Sequence, residues 1–274
     1  MITVAPTGAE HDKRDLPQLP TTPEELVRTA VSCEAAGAAM IHLHIRDNEH
    51  RPTLELGYLR EAVHAIRENT DLIVQLSTGG AVTDPYDRRL AVLDAEPDSC
   101  SLTMGTVNFG DDVFSNPWPF VVELYRETQR RGVVPEFELF DLGHVAALHR
   151  LLGQHGLPYG GAVHCDFVLG VPGGMPGDPA TLVAGVAALP SQVTSWSATG
   201  IGRSTLPVAY TALAAGGQLR VGMEDTVKYA RGREVRCNAE LVERAARLAT
   251  EIGRPPMSTR HARELLGIAA VGPS

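Results

Sequence analysis

Two groups of residues have the types and spacing of a catalytic metal site. The first is His42 and His44, which are separated by one leucine inside an apolar segment. Side chains two positions apart on a strand point to the same face, so both imidazoles would face one side. Imidazole nitrogens bind zinc, and a catalytic zinc keeps one position open for water or substrate. The alternative is that one or both histidines are ordinary core or surface residues.

The second group is Arg220, Glu224 and Asp225, which lie close together in the last quarter of the chain. A carboxylate beside an arginine stays ionised at neutral pH because the opposite charge favours its charged form. Asp225 could therefore serve as a general base, and Glu224 could serve as a third metal ligand. Two alternatives stay open. Arg220 and Asp225 can form an ordinary ion pair, and Glu224 can be a carboxylate at a helix start.

The elements that must position these residues alternate regularly along the chain. Short apolar segments rich in β-branched residues indicate strands buried on both faces. Helical patterns lie between them, and the first helix is predicted to begin after Thr22, with Glu25 completing a capping box. Strands alternating with helices are typical of a parallel sheet, and eight such units favour a closed (β/α)₈ TIM barrel with extra C-terminal helices. The predicted strands are residues 2–6, 39–45, 72–76, 100–104, 133–139, 162–168, 192–197 and 218–222.

A doubly wound open sheet is the alternative fold for the same alternation. It would carry a glycine-rich phosphate-binding turn after the first strand, whereas this chain has PTGAE there. Neither a linker nor an internal repeat divides the sequence, so we predict a single catalytic domain over residues 1–267. Residues 268–274 are expected to form a disordered tail.

The active site of such a barrel is formed by residues that follow the carboxyl ends of the strands. The last strand lies beside the first, and the first lies beside the second, so Glu224 can approach the two histidines. His164, on the sixth strand, is a weaker ligand candidate because it would lie across the barrel. Two glycine-rich loops, residues 170–177 and 200–203, follow the sixth and seventh strands. Their backbone N–H groups could bind an anion, although glycines also simply form turns.

The composition limits the class of protein and its partners. The net charge of −9 argues against non-specific binding to nucleic acid, which requires a basic surface. Four cysteines without a CxxC pair indicate free thiols in a reducing compartment. No apolar run approaches the roughly 18 residues of a membrane span, and the first residues have the pattern of a strand rather than of a signal peptide. We therefore expect a cytoplasmic protein without nucleic-acid or membrane partners.

A series of motifs resembles the β-keto acid cleavage enzyme family. They occur in this order: PTGAE, HLHIRD, QLSTGG, GTVNFGDD, VPEFE, FVLGVPGGM, GIGR and RVGMED. The combination is specific, although no single motif would be. The resemblance implies a zinc-dependent (β/α)₈ barrel that takes a β-keto acid and acetyl-CoA and yields acetoacetate and a new acyl-CoA. It also implies a homotetramer or another homo-oligomer.

The same resemblance assigns roles to individual residues. The residues that match the family's metal ligands are His42, His44 and Glu224. Those that match its catalytic base and the arginine partner of that base are Asp225 and Arg220. Those that match its substrate-binding residues are Glu10, Ser77, Ser101 and Glu138. Ser101 stands where a well-known member has threonine, and Met223 stands where it has phenylalanine, so the pocket would differ in shape there.

The resemblance implies acetyl-CoA-dependent exchange of acyl groups. A zinc ion would make a C–H beside the keto group more acidic, and Asp225 would remove that proton. The carbanion would attack the thioester, CoA would pass to the acyl group of the substrate, and a retro-Claisen step would release acetoacetate. Glu10 would favour a cationic group, such as the amine of 3-keto-5-aminohexanoate. Alternatively, Glu10 pairs with a nearby base such as Lys13 or Arg14.

Two other functions are compatible with a histidine pair on a barrel. Metal-dependent hydrolases of the amidohydrolase kind carry HxH on the first strand and recruit further histidines from strands five and six. Here the pair is on the second strand, and the fifth strand offers Glu136 and Glu138 instead. A non-catalytic barrel with a structural zinc would need four protein ligands, and only three good candidates converge.

Overall fold

The computed structural model describes residues 1–270, and its centre is a closed barrel of eight parallel strands. Each strand pairs with its neighbours in the chain, and the last pairs with the first, where Arg220 lies opposite Thr3. This confirms the predicted (β/α)₈ barrel and excludes the open sheet. The strands are β1 (Ile2–Val4), β2 (Met40–Leu43), β3 (Ile73–Leu76), β4 (Ser99–Thr103), β5 (Val134–Leu139), β6 (His164–Leu169), β7 (Ser195–Gly200) and β8 (Gln218–Val221).

A helix follows each strand, and a ninth helix ends the described chain. The helices are α1 (Pro23–Ala35), α2 (Leu56–Asn69), α3 (Tyr86–Ala91), α4 (Trp118–Arg131), α5 (Leu142–His155), α6 (Pro179–Ala187), α7 (Thr205–Ala214), α8 (Asn238–Glu251) and α9 (Thr259–Leu266). The first begins as predicted, because the Thr22 side chain accepts from the Glu25 N–H while the Glu25 carboxylate accepts from the Thr22 N–H. Within residues 1–270, no helix is long and apolar enough to cross a membrane.

The two faces of the barrel wall differ in polarity. Ile41, Leu43 and Phe137 belong to the large hydrophobic core between the strands and the surrounding helices. Alternate residues face inward, and many of them are polar, such as His42 and Glu138. Buried polar groups are unfavourable unless they are paired, so an apolar interior would be the simpler way to hold the barrel together. The polar interior therefore indicates a functional site.

The N-terminal end of the barrel is closed by α9. Leu266 and Ile268 pack with Met40 and Val134 in a separate hydrophobic cluster. The carboxyl ends of the strands are thereby the accessible end. Ile268, the first residue of the expected tail, is only 9% exposed. Residues 271–274, which make up the rest of that tail after Ala270, lie outside the described residues.

The structure contains local features that the sequence pattern did not predict. Two β-hairpins project from the carboxyl ends of β4 and β8, namely Val107–Phe109 with Asp112–Phe114 and Lys228–Ala230 with Arg233–Glu234. In addition, β7 begins later than the predicted 192–197. The cause is a turn in which the Val193 N–H donates to the Pro190 carbonyl at 3.0 Å, so these residues cannot join the strand.

Candidate active site

A cavity of about 440 Å³ opens at the carboxyl ends of the barrel strands. Its polar side is formed by most of the predicted site, namely Glu10, His42, His44, Ser77, Glu138, Arg220, Glu224 and Asp225. Its apolar side comes from the first hairpin, from the end of β6 and from loops after several strands, and includes Val82, Phe109, Phe114, Phe140, Val168, Val171, Ile201 and Val227. A cavity of this size with a few convergent polar groups is typical of small-molecule sites.

Three ligand atoms converge on the polar side of this cavity. His42, His44 and Glu224 each offer one atom, and these atoms lie within 4.8 Å of one another. Glu224 Oε1 is 3.8 Å from His42 Nε2 and 3.6 Å from His44 Nε2. The second carboxylate oxygen, Glu224 Oε2, is buried without a hydrogen-bond partner. Two imidazoles and one carboxylate are a ligand set of catalytic zinc, so these three residues fit a divalent metal ion.

The ring of His42 is oriented by Gln75, which lies opposite it on β3. Gln75 Nε2 donates to Ser99 Oγ at 3.1 Å, so Gln75 Oε1 is the atom that accepts from His42 Nδ1 at 2.5 Å. His42 Nε2 is then unprotonated and faces Glu224. Burial, together with the charge of Arg220, lowers the pKa of His42 to about 4. A neutral ring with one nitrogen hydrogen-bonded is the form in which histidine binds a metal.

Glu224 is held in place by the loop that follows β1. Gly8 in this loop has a φ of 64°, a conformation that glycine adopts readily. A Cβ atom on Gly8 would lie 2.7 Å from Glu224 Cγ, so no larger side chain fits between the loop and the carboxylate. Arg46 Nη2 donates to the Gly8 carbonyl at 2.6 Å and fixes the loop. The first and last strands therefore position Glu224 together.

The Arg220 guanidinium contacts three carboxylates of the cavity, one of which is the candidate metal ligand Glu224. Arg220 Nη2 donates to Asp225 Oδ1 at 2.9 Å and also to Glu224 Oε1. Arg220 Nη1 lies 3.5 Å from Glu138 Oε1. The arginine side chain is 5% exposed, so these charges interact where water screens them little. Arg220 is thus the common partner of the acidic groups in the cavity.

These carboxylates have different pKa values because their surroundings differ. Burial raises the pKa of Asp225 to about 7 although Arg220 opposes the shift, so the expectation that the arginine keeps this carboxylate fully ionised at neutral pH is wrong. Burial likewise raises the pKa of Glu138 to about 7, against the opposing effects of Arg220 and a hydrogen bond from Thr103. For Glu224, Arg220 and the two histidines outweigh burial, and the pKa falls to about 2. Glu224 is therefore an anion suited to a metal, while Asp225 can exchange a proton near neutral pH.

The chain is similar to known proteins over almost its whole length. The family model described as beta-keto acid cleavage enzyme matches residues 1–268. The chain belongs to this family. It is 39% identical over 271 residues to a 3-keto-5-aminohexanoate cleavage enzyme of Acetoanaerobium sticklandii, covering 98% of each chain. It is 35% identical over 274 residues to a 3-oxoadipate:acetyl-CoA acetyltransferase of Cupriavidus necator, covering 99% of this chain and 95% of that protein.

A solved structure shares the fold of this family member. The apo structure of ObcA superimposes with a TM-score of 0.78 at 21% sequence identity. The match covers 93% of this chain but only 66% of the ObcA chain. The family match confirms the resemblance to β-keto acid cleavage enzymes, and it gives no support to the amidohydrolase alternative.

The two serines predicted to bind substrate differ in position. Ser77 lines the cavity. Ser101 is 2% exposed and does not line it. Instead, Ser101 Oγ accepts from the Thr78 N–H at 3.3 Å, and the Ser101 carbonyl accepts from Thr78 Oγ1 at 2.8 Å. Ser101 therefore holds the loop after β3, and its contact with substrate stays a prediction.

Glu10 lies at the mouth of the cavity and is exposed. The two bases considered as partners are paired elsewhere. Lys13 Nζ is 2.7 Å from Glu25, and Arg14 Nη2 is 2.7 Å from Asp12. The alternative in which Glu10 pairs with one of them is therefore wrong. Within residues 1–270, Glu10 has no ion pair, so its carboxylate is free to interact with a bound molecule.

Two other residues considered from the sequence do not reach the cavity. His164 lies deeper in the barrel, with Nδ1 2.7 Å from Ser195 Oγ and Nε2 3.3 Å from a Glu136 oxygen. It is not part of the metal-ligand group. Met223 is fully buried in the hydrophobic core, so its replacement of phenylalanine does not alter the cavity wall directly.

Several residues of the site were missed by reasoning from the sequence. Gln75 could have been found, because it precedes Ser77 by two positions on a strand and so faces the same side. Thr103, which donates to Glu138 Oε2 at 2.6 Å, could have been found in the same way from Ser101. The apolar wall had no such signal, since its aromatic residues come from a hairpin and from loops.

Proposed function

We propose that this protein is a zinc- and acetyl-CoA-dependent β-keto acid cleavage enzyme. In the reaction, a β-keto acid and acetyl-CoA are converted to acetoacetate and a new acyl-CoA. The observation that carries the proposal is that the Arg220–Asp225 pair lies in one cavity beside the open metal-ligand group of His42, His44 and Glu224. A base next to a Lewis acid is the arrangement needed to remove a proton beside a carbonyl group.

The residues of this chain have separate roles in the proposed reaction. A zinc ion held by the three ligands would polarise the keto oxygen and make the adjacent C–H more acidic. Asp225 accepts the proton from the carbon between the keto group and the carboxylate. Arg220 orients Asp225 through the 2.9 Å hydrogen bond and balances its charge. Ser77 donates its hydroxyl hydrogen to the substrate carboxylate.

The bonds and protons balance without a further reactant. The deprotonated carbon forms a bond to the thioester carbon of acetyl-CoA, and CoA leaves as a thiolate. The thiolate then attacks the original keto carbon of the substrate, and the bond between that carbon and the deprotonated carbon breaks. The acyl group departs as acyl-CoA. The remaining carbanion takes the proton back from Asp225 and becomes acetoacetate.

The cavity favours a substrate side chain that is cationic or uncharged. Glu10 at the mouth has no ion pair within the described chain, and the wall opposite the metal ligands is apolar. The guanidinium of Arg220 is already occupied by three carboxylates. A second carboxylate on the substrate would therefore find no free arginine among the cavity-lining residues. We propose an amino-substituted β-keto acid, such as 3-keto-5-aminohexanoate, as the preferred substrate class.

Replacing Glu10 tests this preference. Glu10→Gln is expected to lower kcat/KM for 3-keto-5-aminohexanoate by no more than about fivefold, because an exposed ion pair contributes little. The same variant should leave kcat/KM unchanged for an uncharged β-keto acid of similar length, which is the matched control. Equal losses for both substrates, measured by steady-state kinetics, would show that Glu10 does not select for charge.

A substrate panel tests the proposed function as a whole. The zinc-loaded protein is incubated with acetyl-CoA and a series of β-keto acids, and mass spectrometry detects the acyl-CoA and acetoacetate formed. We expect a new acyl-CoA that corresponds to the added β-keto acid, formed at least about 10²-fold more slowly by Asp225→Asn. The absence of any acyl-CoA product across the panel would contradict the proposal.

A further inference from the structure

Arg89, on α3, is a buried guanidinium that the proposed reaction does not use. It is 2% exposed, and within residues 1–270 no carboxylate oxygen lies within 4.0 Å of its nitrogens. Burial lowers its pKa to about 10, so it remains charged at neutral pH. A buried charge without an opposite charge is unfavourable. The placement of an arginine here therefore requires an explanation.

The guanidinium of Arg89 joins two segments that line the cavity. Its Nε donates to the Thr78 carbonyl at 2.7 Å, in the loop after β3. Its Nη1 donates to the Ser115 carbonyl at 2.8 Å, and its Nη2 donates to Asn116 Oδ1, both just after the first hairpin. The guanidinium carbon also lies 4.8 Å from the centre of the Phe114 ring and 4.5 Å from that of Phe120. Every one of these partners is neutral.

The peptide group between Thr78 and Gly79 links Arg89 to the cavity. The Thr78 carbonyl and the Gly79 N–H belong to the same peptide unit, and the Gly79 N–H donates to Ser77 Oγ at 3.1 Å. A carbonyl that accepts a hydrogen bond from a cation polarises its peptide unit, which makes the N–H a stronger donor. Because Ser77 Oγ accepts from Gly79, the Ser77 O–H is left free to donate into the cavity.

Close packing holds this chain of hydrogen bonds in one arrangement. A Cβ atom on Gly79 would lie 3.1 Å from Phe114 Cζ and 3.2 Å from Ser77 Oγ, so the loop, the ring and the hydroxyl are in close contact. Phe114 thus packs against both Arg89 and Gly79. Arg89 itself does not line the cavity, and any effect on substrate must pass through its neighbours.

We infer that Arg89 is a positioning residue that orients Ser77 and strengthens it as a hydrogen-bond donor to the substrate carboxylate. The inference rests on the proposed function, since it requires an anionic keto acid beside Ser77. It predicts that the losses caused by replacing Arg89 and Ser77 are not additive, although the two side chains do not contact each other. An arginine that only supported the fold would show no such coupling.

A double-mutant cycle tests this coupling. Ser77→Ala is expected to lower kcat/KM for the β-keto acid about 10²-fold, the size of the loss of one donor to a developing or bound anion. Arg89→Gln should lower it about tenfold alone but less than about twofold in the Ser77→Ala background. The KM for acetyl-CoA should not change. Arg89→Lys keeps the charge but not the planar fork that makes the three hydrogen bonds, so it should lower kcat/KM about fivefold.

Calorimetry measures the equilibrium binding of acetoacetate to the zinc-loaded wild type, the two single variants and the double variant. This readout does not depend on turnover, so failure of the proposed reaction and failure of the Arg89 inference can be told apart. Arg263→Gln is the matched control, because Arg263 is a buried arginine at the opposite end of the barrel, where α9 lies. It should lower the melting temperature without weakening acetoacetate binding.

Each outcome of the cycle bears on the inference. Non-additive losses in acetoacetate binding, with Arg89→Lys between wild type and Arg89→Gln, support it. Additive losses overturn it and would mean that Arg89 acts through the hairpin at Phe114. If Arg89→Gln does not fold, the cycle is run with Arg89→Lys. In that case, the same loss in the wild-type and Ser77→Ala backgrounds overturns the inference.

Discussion

A single glutamine determines which nitrogen of His42 can bind a metal. Gln75 Oε1 accepts from His42 Nδ1, and so leaves Nε2 directed at the position between the three ligands. Hydrogen bonds of this kind orient ligand rings and make them more basic. They act without touching the metal or the substrate, so their effect appears as metal affinity rather than as a change in the reaction.

Removing this hydrogen bond should weaken zinc binding. Gln75→Leu is expected to lower zinc affinity by about 10- to 100-fold, because His42 loses the partner that holds its ring and tautomer. Competition with a chromophoric chelator measures the affinity. Gln129→Leu is the control, since Gln129 bonds to the Leu157 carbonyl on the outside of the barrel. Equal zinc affinity in Gln75→Leu and wild type would contradict this role.

Ionisation of Asp225, the base of the proposed reaction, should determine how kcat/KM falls at low pH, which is the acid limb of the pH profile. Burial, opposed by Arg220, raises the pKa of Asp225 to about 7. Only the ionised form accepts a proton, so kcat/KM should rise about tenfold per pH unit below this pKa and level off above it. A bound divalent cation favours the ionised form, and it can move this limb only to lower pH.

Asp225→Asn provides the check on that assignment. The variant should lose at least about 10²-fold in kcat/KM together with the acid limb, since it cannot accept a proton. Its zinc content, measured by metal analysis, should equal that of wild type because Asp225 is not a ligand. An unchanged acid limb in the residual activity would assign the titration to another group, such as Glu138.

At the scale of elements, α9 closes the end of the barrel opposite the cavity. Leu266 is 3% exposed and packs in the cluster that includes Met40 and Val134. Leu266→Ala is expected to lower the free energy of unfolding by about 2–5 kcal/mol, the range for removing a buried leucine side chain. Denaturant unfolding measures the change.

The control for Leu266→Ala is the replacement of an exposed side chain on an outer helix. Val183 on α6 is 54% exposed, and Val183→Ala should change the free energy of unfolding by no more than about 0.5 kcal/mol. Leu266→Ala should keep its zinc content and its kcat, because the cavity lies at the other end of the barrel. Loss of zinc by the folded Leu266→Ala protein would show that packing of α9 also affects zinc binding.

The elements also differ in how well the sequence predicted them. The fifth strand was predicted to within one residue of its observed bounds, whereas β2 ends at Leu43, two residues before the predicted Ile45. The hairpin strands Val107–Phe109 and Asp112–Phe114 are too short for any periodicity to identify them. Their pairing depends on contacts with the rest of the protein, including the hydrogen bond from Gly110 N–H to the Pro172 carbonyl at 2.9 Å.

At the scale of the whole molecule, the three candidate metal ligands come from the end of the second strand and from the loop after the last one. A metal ion bound to the native state stabilises it by mass action, by about 4 kcal/mol when free zinc is about 1,000 times the Kd. Removing the metal with a chelator should therefore lower the melting temperature, and added zinc should restore it. Calorimetry or thermal-shift measurements follow the change.

Glu224→Gln is the matched variant for this experiment. It keeps the shape of the side chain but removes the anionic ligand, so the chelator should no longer shift its melting temperature. A wild-type protein with the same melting temperature with and without chelator would contradict metal binding by the native state. A variant that keeps stoichiometric zinc and full activity would contradict the ligand role of Glu224.

The sequence by itself determined the barrel and two of the three residues in the candidate metal-ligand group. Alternation of apolar strands with helices is a local property, and the one-residue spacing of His42 and His44 predicted that both lie on one face. In the structure β2 ends at Leu43, and His44, which follows it, lines the same cavity as His42. The motifs also identified the family. The approach of Glu224 to the histidines depended on closure of the barrel, which brings the last strand beside the first. Closure was predicted from the number of strands, but the distances were not.

Only the tertiary structure decided which polar groups find partners. Ser101 faces the loop after β3, Glu10 is left without an ion pair in the described chain, and Arg89 lies behind Ser77. The physical reason is that hydrogen bonds and ion pairs depend on the distance and direction between side chains far apart in sequence. Spacing along the chain limits which face a residue occupies, but only the packed barrel determines what that residue touches.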